Sequence, residues 1–391
     1  MTVQWATEGC DRYDDPISGA RIVQLTSGAH VSNNIYCEQP YTSPDGNRIA
    51  ILRKGDFSFD PAASLLVGDL ARLRVGLIER DCVTSACNAA WSGLLHYFTT
   101  DHRLVRLNLE TLEQTVINLD GDEHLPRGGS SVSPDQRYII HPDTSDGEQV
   151  RIMRFDVQSR TVEPIFAHPE ITNPHLQFNP VHGRDILVQH NRGTRIGRAG
   201  EIRQTVTEQG TTLFVIDRDG KNQRPLPVGP PITAGATGHE CFVAGTGRVA
   251  FTTAWNHHDW SLDERFPTGN LFTAAPGDAK PTVFEAPDCR FNHLCVSRCG
   301  RYFVADSYPA DGLFTNGVLN SVSLVVGNLK TGKYRTLVSD TLASGGGNQS
   351  THTHPYLTAD DRHVIFNSDP HYSVPQVFAA KLPDDFLDSL D

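Results

Sequence analysis

The stretch Gln39–Leu52, QPYTSPDGNRIAIL, runs an apolar segment into a Ser-Pro-Asp-Gly turn and out into a second apolar segment. Pro-Asp-Gly between two apolar runs is hairpin chemistry, because Pro presets one turn dihedral and Gly takes the left-handed one. The same unit returns as GSSVSPDQRYII from Gly129 and HLQFNPVHGRDILVQ from His175. It returns again as HECFVAGTGRVAFTT from His239, HLCVSRCGRYFVAD from His293 and HPYLTADDRHVIFNSD from His354. A less regular copy spans CNAAWSGLLHYFTTDHRLVRLNLETLE, and its tail reads as a third strand with its turn. FVIDRDGKN from Phe214 and LVVGNLKTGKY from Leu324 repeat that third-strand pattern.

Short strands in units of roughly 50 residues are the signature of propeller blades. The chain therefore reads as all-β, a seven-bladed β-propeller forming a single domain over residues 1–391. The strand RIVQLTSG, about residues 21–28, is expected to close the ring by pairing with the last blade, which removes the open edges of an unclosed array.

Composition agrees with a packed, turn-rich core. Of 391 residues, 38% are hydrophobic and 20% charged, and 33 Gly with 24 Pro supply the many turns. No apolar run approaches the ~20 residues of a membrane helix. The polar, acidic start, MTVQWATEGCDRYDD, lacks the apolar core of a signal peptide, so a cytoplasmic protein without a membrane partner is expected. The net charge of −12 argues against nucleic acid, whose recognition rests on neutralising phosphates. Eight dispersed cysteines with no Cys-x-x-Cys pair read as reduced, mostly buried thiols.

Aligning the six clear units on their turns places Gln39, Gly129, His175, His239, His293 and His354 at one position. The first residues of a propeller's innermost strands share one rim of the central channel, so four histidines converge there. Gln349, His352 and His354 form Gln-x-x-His-x-His, and alternate residues of a strand project to one face. With His293 from the preceding blade they offer three nitrogens and an amide oxygen, an open set suited to a divalent transition metal. His239, one blade further round, is left as a candidate general base. The loop HNRGTRIGRAGEIR carries Arg192, Arg195, Arg198 and Arg203, candidates for binding a substrate carboxylate. Trp255, His257, His258 and Trp260 could form a sugar-stacking wall.

The TGHE segment, the FNHLCVS strand and the NQSTHTHP stretch together resemble the oligogalacturonate lyases of polysaccharide lyase family 22. The resemblance implies a seven-bladed propeller that binds a divalent metal, typically manganese, through His293, Gln349, His352 and His354. It implies His239 as the Brønsted base, with Arg192 as the choice for the family's assisting arginine. His175, Gln39, Arg195 and Arg198 are then expected to meet the substrate, a short uronate oligosaccharide, here in a pectin-degrading role. The implied reaction is β-elimination: the C5 proton leaves, the C4–O bond breaks and a 4,5-unsaturated sugar forms. Two other classes stay open on the residues alone. One is another metal-dependent carbohydrate enzyme, a glycoside hydrolase or a lyase on a different uronate. The other is a non-enzymatic interaction scaffold.

Overall fold

The computed structural model describes residues 3–28, 30–55, 62–117, 129–197, 207–254, 268–309, 314–315, 318–319, 322–345, 349–370 and 373–391. Within them the chain is almost entirely antiparallel sheet. Four sheets have four strands each. One example runs Ser131–Val132, Tyr138–Asp143, Val150–Asp156 and Thr161–His168 in sequence order. Successive sheets touch through their first strands: Ser131–Val132 meets Gln177–Phe178, Ala236–Val243 meets Phe291–Val296, and Phe291–Val296 meets Tyr356–Leu357. The Gln177 side chain bridges another neighbouring pair by donating to the Glu240 carbonyl at 2.6 Å. This is the radial arrangement of a β-propeller, with the first strand of each sheet innermost.

Ring closure is carried by Arg21–Gln24, which pairs antiparallel with Gln376–Lys381 from Arg21 opposite Lys381 to Gln24 opposite Phe378. Cys10–Asp14 adds a further strand outside it. The first sheet differs from the others. It holds eight strands because the long strand Arg74–Asn88 pairs with Ala62–Asp69 through one half and with Leu94–Thr99 through the other. A register shift between Cys82 and Ala86 separates the halves. The number of blades depends on dividing this sheet there.

The repeated turn has one hydrogen-bond pattern. The hydroxyls of Ser43, Ser133, Ser297 and Thr358 each accept the backbone N–H five residues on, from Arg48, Tyr138, Tyr302 and His363, at 2.9 to 3.1 Å. In three of these turns the same hydroxyl donates to the Asp two positions on, namely Asp45, Asp135 and Asp360. The hydroxyl and carboxylate therefore satisfy polar groups that a tight turn leaves exposed, which explains the Ser/Thr-x-Asp of the repeat. Central strands such as Asp185–His190 and Tyr302–Ser307 are buried along nearly their whole length rather than on alternate residues. A sheet covered on both faces by neighbouring sheets reads this way.

Six of the cysteines are buried and free, while Cys10 and Cys299 are free and exposed. Among the described residues, no helix is long and apolar enough to cross a membrane.

Candidate metal centre and adjoining cavity

At the aligned position each inner strand is interrupted. The pairing of Ala236–Val243 shifts register between Ala236 and Glu240, and that of Phe291–Val296 shifts between Phe291 and Leu294, so a bulge brackets His239 and His293 alike. His175 and His354 instead take positive φ, 43° and 40°, just before their strands begin. Bulges and left-handed residues re-aim a side chain off the regular pleat. All four histidines are therefore turned from their blades toward one another. His239 and His293 have ring centroids 4.1 Å apart, His293 and His354 4.5 Å, and His293 and His352 5.1 Å.

His352 and His354 do not reach this cluster as alternate residues of a strand. They follow the 3-10 turn Gln349–Thr351 and precede the strand Tyr356–Leu357, and the bent backbone at His354 sets the angle. Two asparagines brace the segment. Asn34 Nδ2 donates to the His354 carbonyl at 2.7 Å, and Asn367 Nδ2 to that of His352 at 3.2 Å. Gln349 is exposed on the wall of a cavity of about 470 Å³ that it shares with Tyr36, Lys54, Asn173, His175 and His354.

His293, His352 and His354 each offer a ring nitrogen, and these lie within 4.8 Å of one another. His293 Nε2, His352 Nδ1 and His354 Nε2 are buried without a hydrogen-bond partner. Three orphaned, converging imidazole nitrogens carry a desolvation cost that a divalent cation would relieve, so the donor set fits a metal. The opposite edge of the His293 ring is fixed: Nδ1–H donates to Asp306 Oδ2 at 2.6 Å, with both side chains fully buried. Asp306 also accepts the His293 backbone N–H at 2.7 Å and the Thr353 hydroxyl at 2.6 Å. A carboxylate behind a ligating histidine holds the tautomer that presents Nε2. Burial, then the neighbouring His293, pushes His352 down to about 4 and His354 well below the ordinary histidine range, so both rings are neutral at neutral pH, with lone pairs available to a cation.

His239 lies against His293 but outside the three-nitrogen group. Burial, then His293, holds its pKa well below the ordinary value, so its ring is neutral at pH 7. Its Nδ1 is 3.2 Å from the Tyr36 hydroxyl, which burial keeps protonated. When Nδ1 carries the proton and donates to Tyr36, the Nε2 lone pair is free to accept another.

His175 has the opposite environment. Its Nδ1 is 2.7 Å from Glu38 Oε1, and its Nε2 is 2.9 Å from the Asn173 amide nitrogen. Burial opposes charge there, but Glu38 outweighs it and raises the ring to about 9. Glu240 completes this second group, with ligand atoms again within 4.8 Å of one another. Its two carboxylate oxygens are buried without partners, and burial pushes it up to about 8.

The remaining candidates separate from the cluster. Gln39 is buried and spends its amide on the neighbouring blade, donating to the Ser130 carbonyl at 2.8 Å and accepting from the Ser131 hydroxyl at 2.6 Å. Arg192 donates to the carbonyls of Gly210 at 3.0 Å, Pro230 at 3.3 Å and Gln209, which ties loops together. Arg195 is exposed. Arg198, Arg203, Trp255, His257, His258 and Trp260 lie outside the described residues. Sequence reasoning missed Tyr36, Glu38, Glu240 and Asp306. A signal existed for Glu240, which directly follows an aligned histidine, and for Glu38, which directly precedes an aligned glutamine.

Fold and site together define a class: an all-β propeller whose rim gathers an open, histidine-rich metal centre. No protein-family model matches the chain. It is similar over 95% of its length to the oligogalacturonate lyase of Dickeya dadantii, at 24% identity and covering 96% of that protein. The oligogalacturonide lyase of Pectobacterium atrosepticum is 23% identical with the same coverage. Among solved structures, an oligogalacturonate lyase in complex with manganese superposes with a TM-score of 0.66 at 19% identity, covering 99% of this chain and 98% of that one. The oligogalacturonate lyase of Vibrio parahaemolyticus gives 0.65 at 17% identity, with the same coverage. In sequence and in fold, then, the chain is similar to the oligogalacturonate lyases from end to end.

Proposed function

We propose that this protein is a metal-dependent oligogalacturonate lyase that cleaves short uronate oligosaccharides by β-elimination. The convergence of three buried, unpartnered imidazole nitrogens beside a fourth, neutral imidazole carries the reading. His293, His352 and His354, with Gln349, would hold the divalent ion, for which manganese is the candidate. Bound there, the ion supplies positive charge that neutralises the substrate's C5 carboxylate and so acidifies the C5 proton.

The chain's own groups do the rest. His239 Nε2 takes the C5 proton, and Tyr36 holds the required tautomer from the other edge of the ring. The C–H electron pair becomes the C4=C5 double bond, and the C4–O bond breaks with its pair on oxygen. Asp306 keeps His293 from turning away. Lys54, in the cavity wall, supplies a cationic contact for the substrate's carboxylates, and His175 lines the same wall. With Arg192 engaged by three carbonyls, its role in the proposal is to brace the loop after His190 rather than to touch sugar. One domain acting in the cytoplasm on pectin-derived fragments belongs to the same proposal.

The test is to supply di- and trigalacturonate to the protein with Mn²⁺ and follow ultraviolet absorbance alongside reducing ends. The proposal expects both to rise together, because the new double bond is conjugated with the carboxylate. Reducing ends without absorbance would instead mark a hydrolase.

A further inference from the structure

Elimination leaves an unanswered demand: the departing sugar oxygen must gain a proton, and His239 is occupied in removing one. His293, His352 and His354, which would hold the ion through their free nitrogens, are not placed to deliver one. His175 differs from them, being set in the same cavity wall with a carboxylate behind it. We propose that His175, backed by Glu38, is the general acid that protonates the glycosidic oxygen.

The geometry has three parts. His175 and His239 have ring centroids 6.2 Å apart and both lie against Tyr36, at 5.8 Å and 6.2 Å. A sugar whose C5–H faces one ring thus has its adjacent C4–O bond within reach of the other. Glu38 occupies His175 Nδ1, and Gln177 Nε2 fixes the second Glu38 oxygen at 3.1 Å, so the Nε2 edge carries the transferable proton toward the cavity. Asn173, which lines the same cavity, faces that edge, and a 180° turn of its amide presents an oxygen to a protonated Nε2. Facing groups from other blades set the charge balance: Glu38 favours imidazolium, Glu240, itself pushed up to about 8, adds to this only as it ionises, and Tyr36 and His239 are neutral. The ring is accordingly raised to about 9 and protonated at neutral pH.

The step balances. His239 gains the C5 proton, the C–H pair forms the π bond, the C4–O pair stays on oxygen, and His175 Nε2–H gives that oxygen its proton. Water then restores both histidines.

The proposal rests on the lyase reading, and the experiment separates the two. Wild type and His175→Gln are compared on trigalacturonate and on a 4-O-(4-nitrophenyl) galacturonate, whose phenolate leaves without a proton. General-acid loss predicts about a 10²–10⁴-fold lower kcat for the variant on trigalacturonate, yet near wild-type elimination of nitrophenolate. Manganese content measured by elemental analysis should not change. Equal losses on both substrates, or none on either, would overturn the assignment. Wild type inactive on both would instead sink the lyase reading. Glu38→Gln gives a second reading: the alkaline limb of kcat should move down from about 9. An unmoved limb would contradict the dyad.

Discussion

Two triads of similar span sit on one rim: His293, His352 and His354, and Glu38, His175 and Glu240. Each brings three potential ligand atoms within 4.8 Å of one another. In the first, imidazoles crowd imidazoles, and burial holds His352 and His354 neutral with their lone pairs free. In the second, a single imidazole is paired with the Glu38 carboxylate and is pushed the other way, to about 9. The residue type is shared; the neighbours decide whether a histidine accepts or donates. Proteins separate acid from base in this way when both must work at one pH.

The sharpest way to break the contrast is to remove His239, the proposed base between the triads. His239→Ala should lower kcat by about 10²–10⁴-fold or more while bound manganese is retained, as elemental analysis would report. Loss of the metal in that variant would place His239 in the first triad instead.

Next in size is the carboxylate behind His293. Asp306→Asn removes the acceptor that fixes the His293 tautomer, and about 10–100-fold weaker manganese binding is expected by titration. Unchanged affinity would mean that packing alone orients the ring.

Another imidazole, far from the rim chemistry in sequence and outside both triads, calibrates what burial does. His96 is fully buried, both ring nitrogens lack partners, and burial followed by Arg106 pushes it down to about 3. Its folded value lies below its unfolded one, so the stability tied to its neutral form is complete above about pH 6.5 and is lost as pH falls toward 3. The slope is about 1.4 kcal/mol per pH unit at most. Urea midpoints of wild type should therefore fall between pH 7 and 5, and those of His96→Leu should fall less steeply. Parallel slopes would assign the acid sensitivity elsewhere.

The smallest effect should come from Tyr36→Phe, which removes the partner of His239 Nδ1 without emptying the space. A several-fold drop in kcat with unchanged KM is expected. A rise in KM alone would make Tyr36 a binding contact.

The blades were legible because their turns are local chemistry: Ser43, Ser133 and Thr358 with their aspartates close the same hydrogen bonds that the repeated Ser/Thr-x-Asp announces. Alignment on those turns also brought His239, His293 and His354 into register. The route by which His352 and His354 converge was not legible, since a 3-10 turn and a positive φ replaced the expected strand. Tyr36, Glu38 and Asp306 escaped because they meet the histidines across blades or from an adjacent strand, where no spacing in sequence marks the contact. Arg192 shows the reverse: an arginine-rich loop suggests a substrate clamp, yet three backbone carbonyls claim its guanidinium.

The most direct measurement is equilibrium binding of Mn²⁺ to metal-stripped protein, compared between wild type and the His352→Ala and His175→Gln variants. About one ion per chain is predicted for wild type and for His175→Gln, with His352→Ala binding far more weakly. Equal manganese binding by wild type and His352→Ala, or loss of the ion in His175→Gln alone, would contradict the division of the rim into a metal triad and a proton-bearing one.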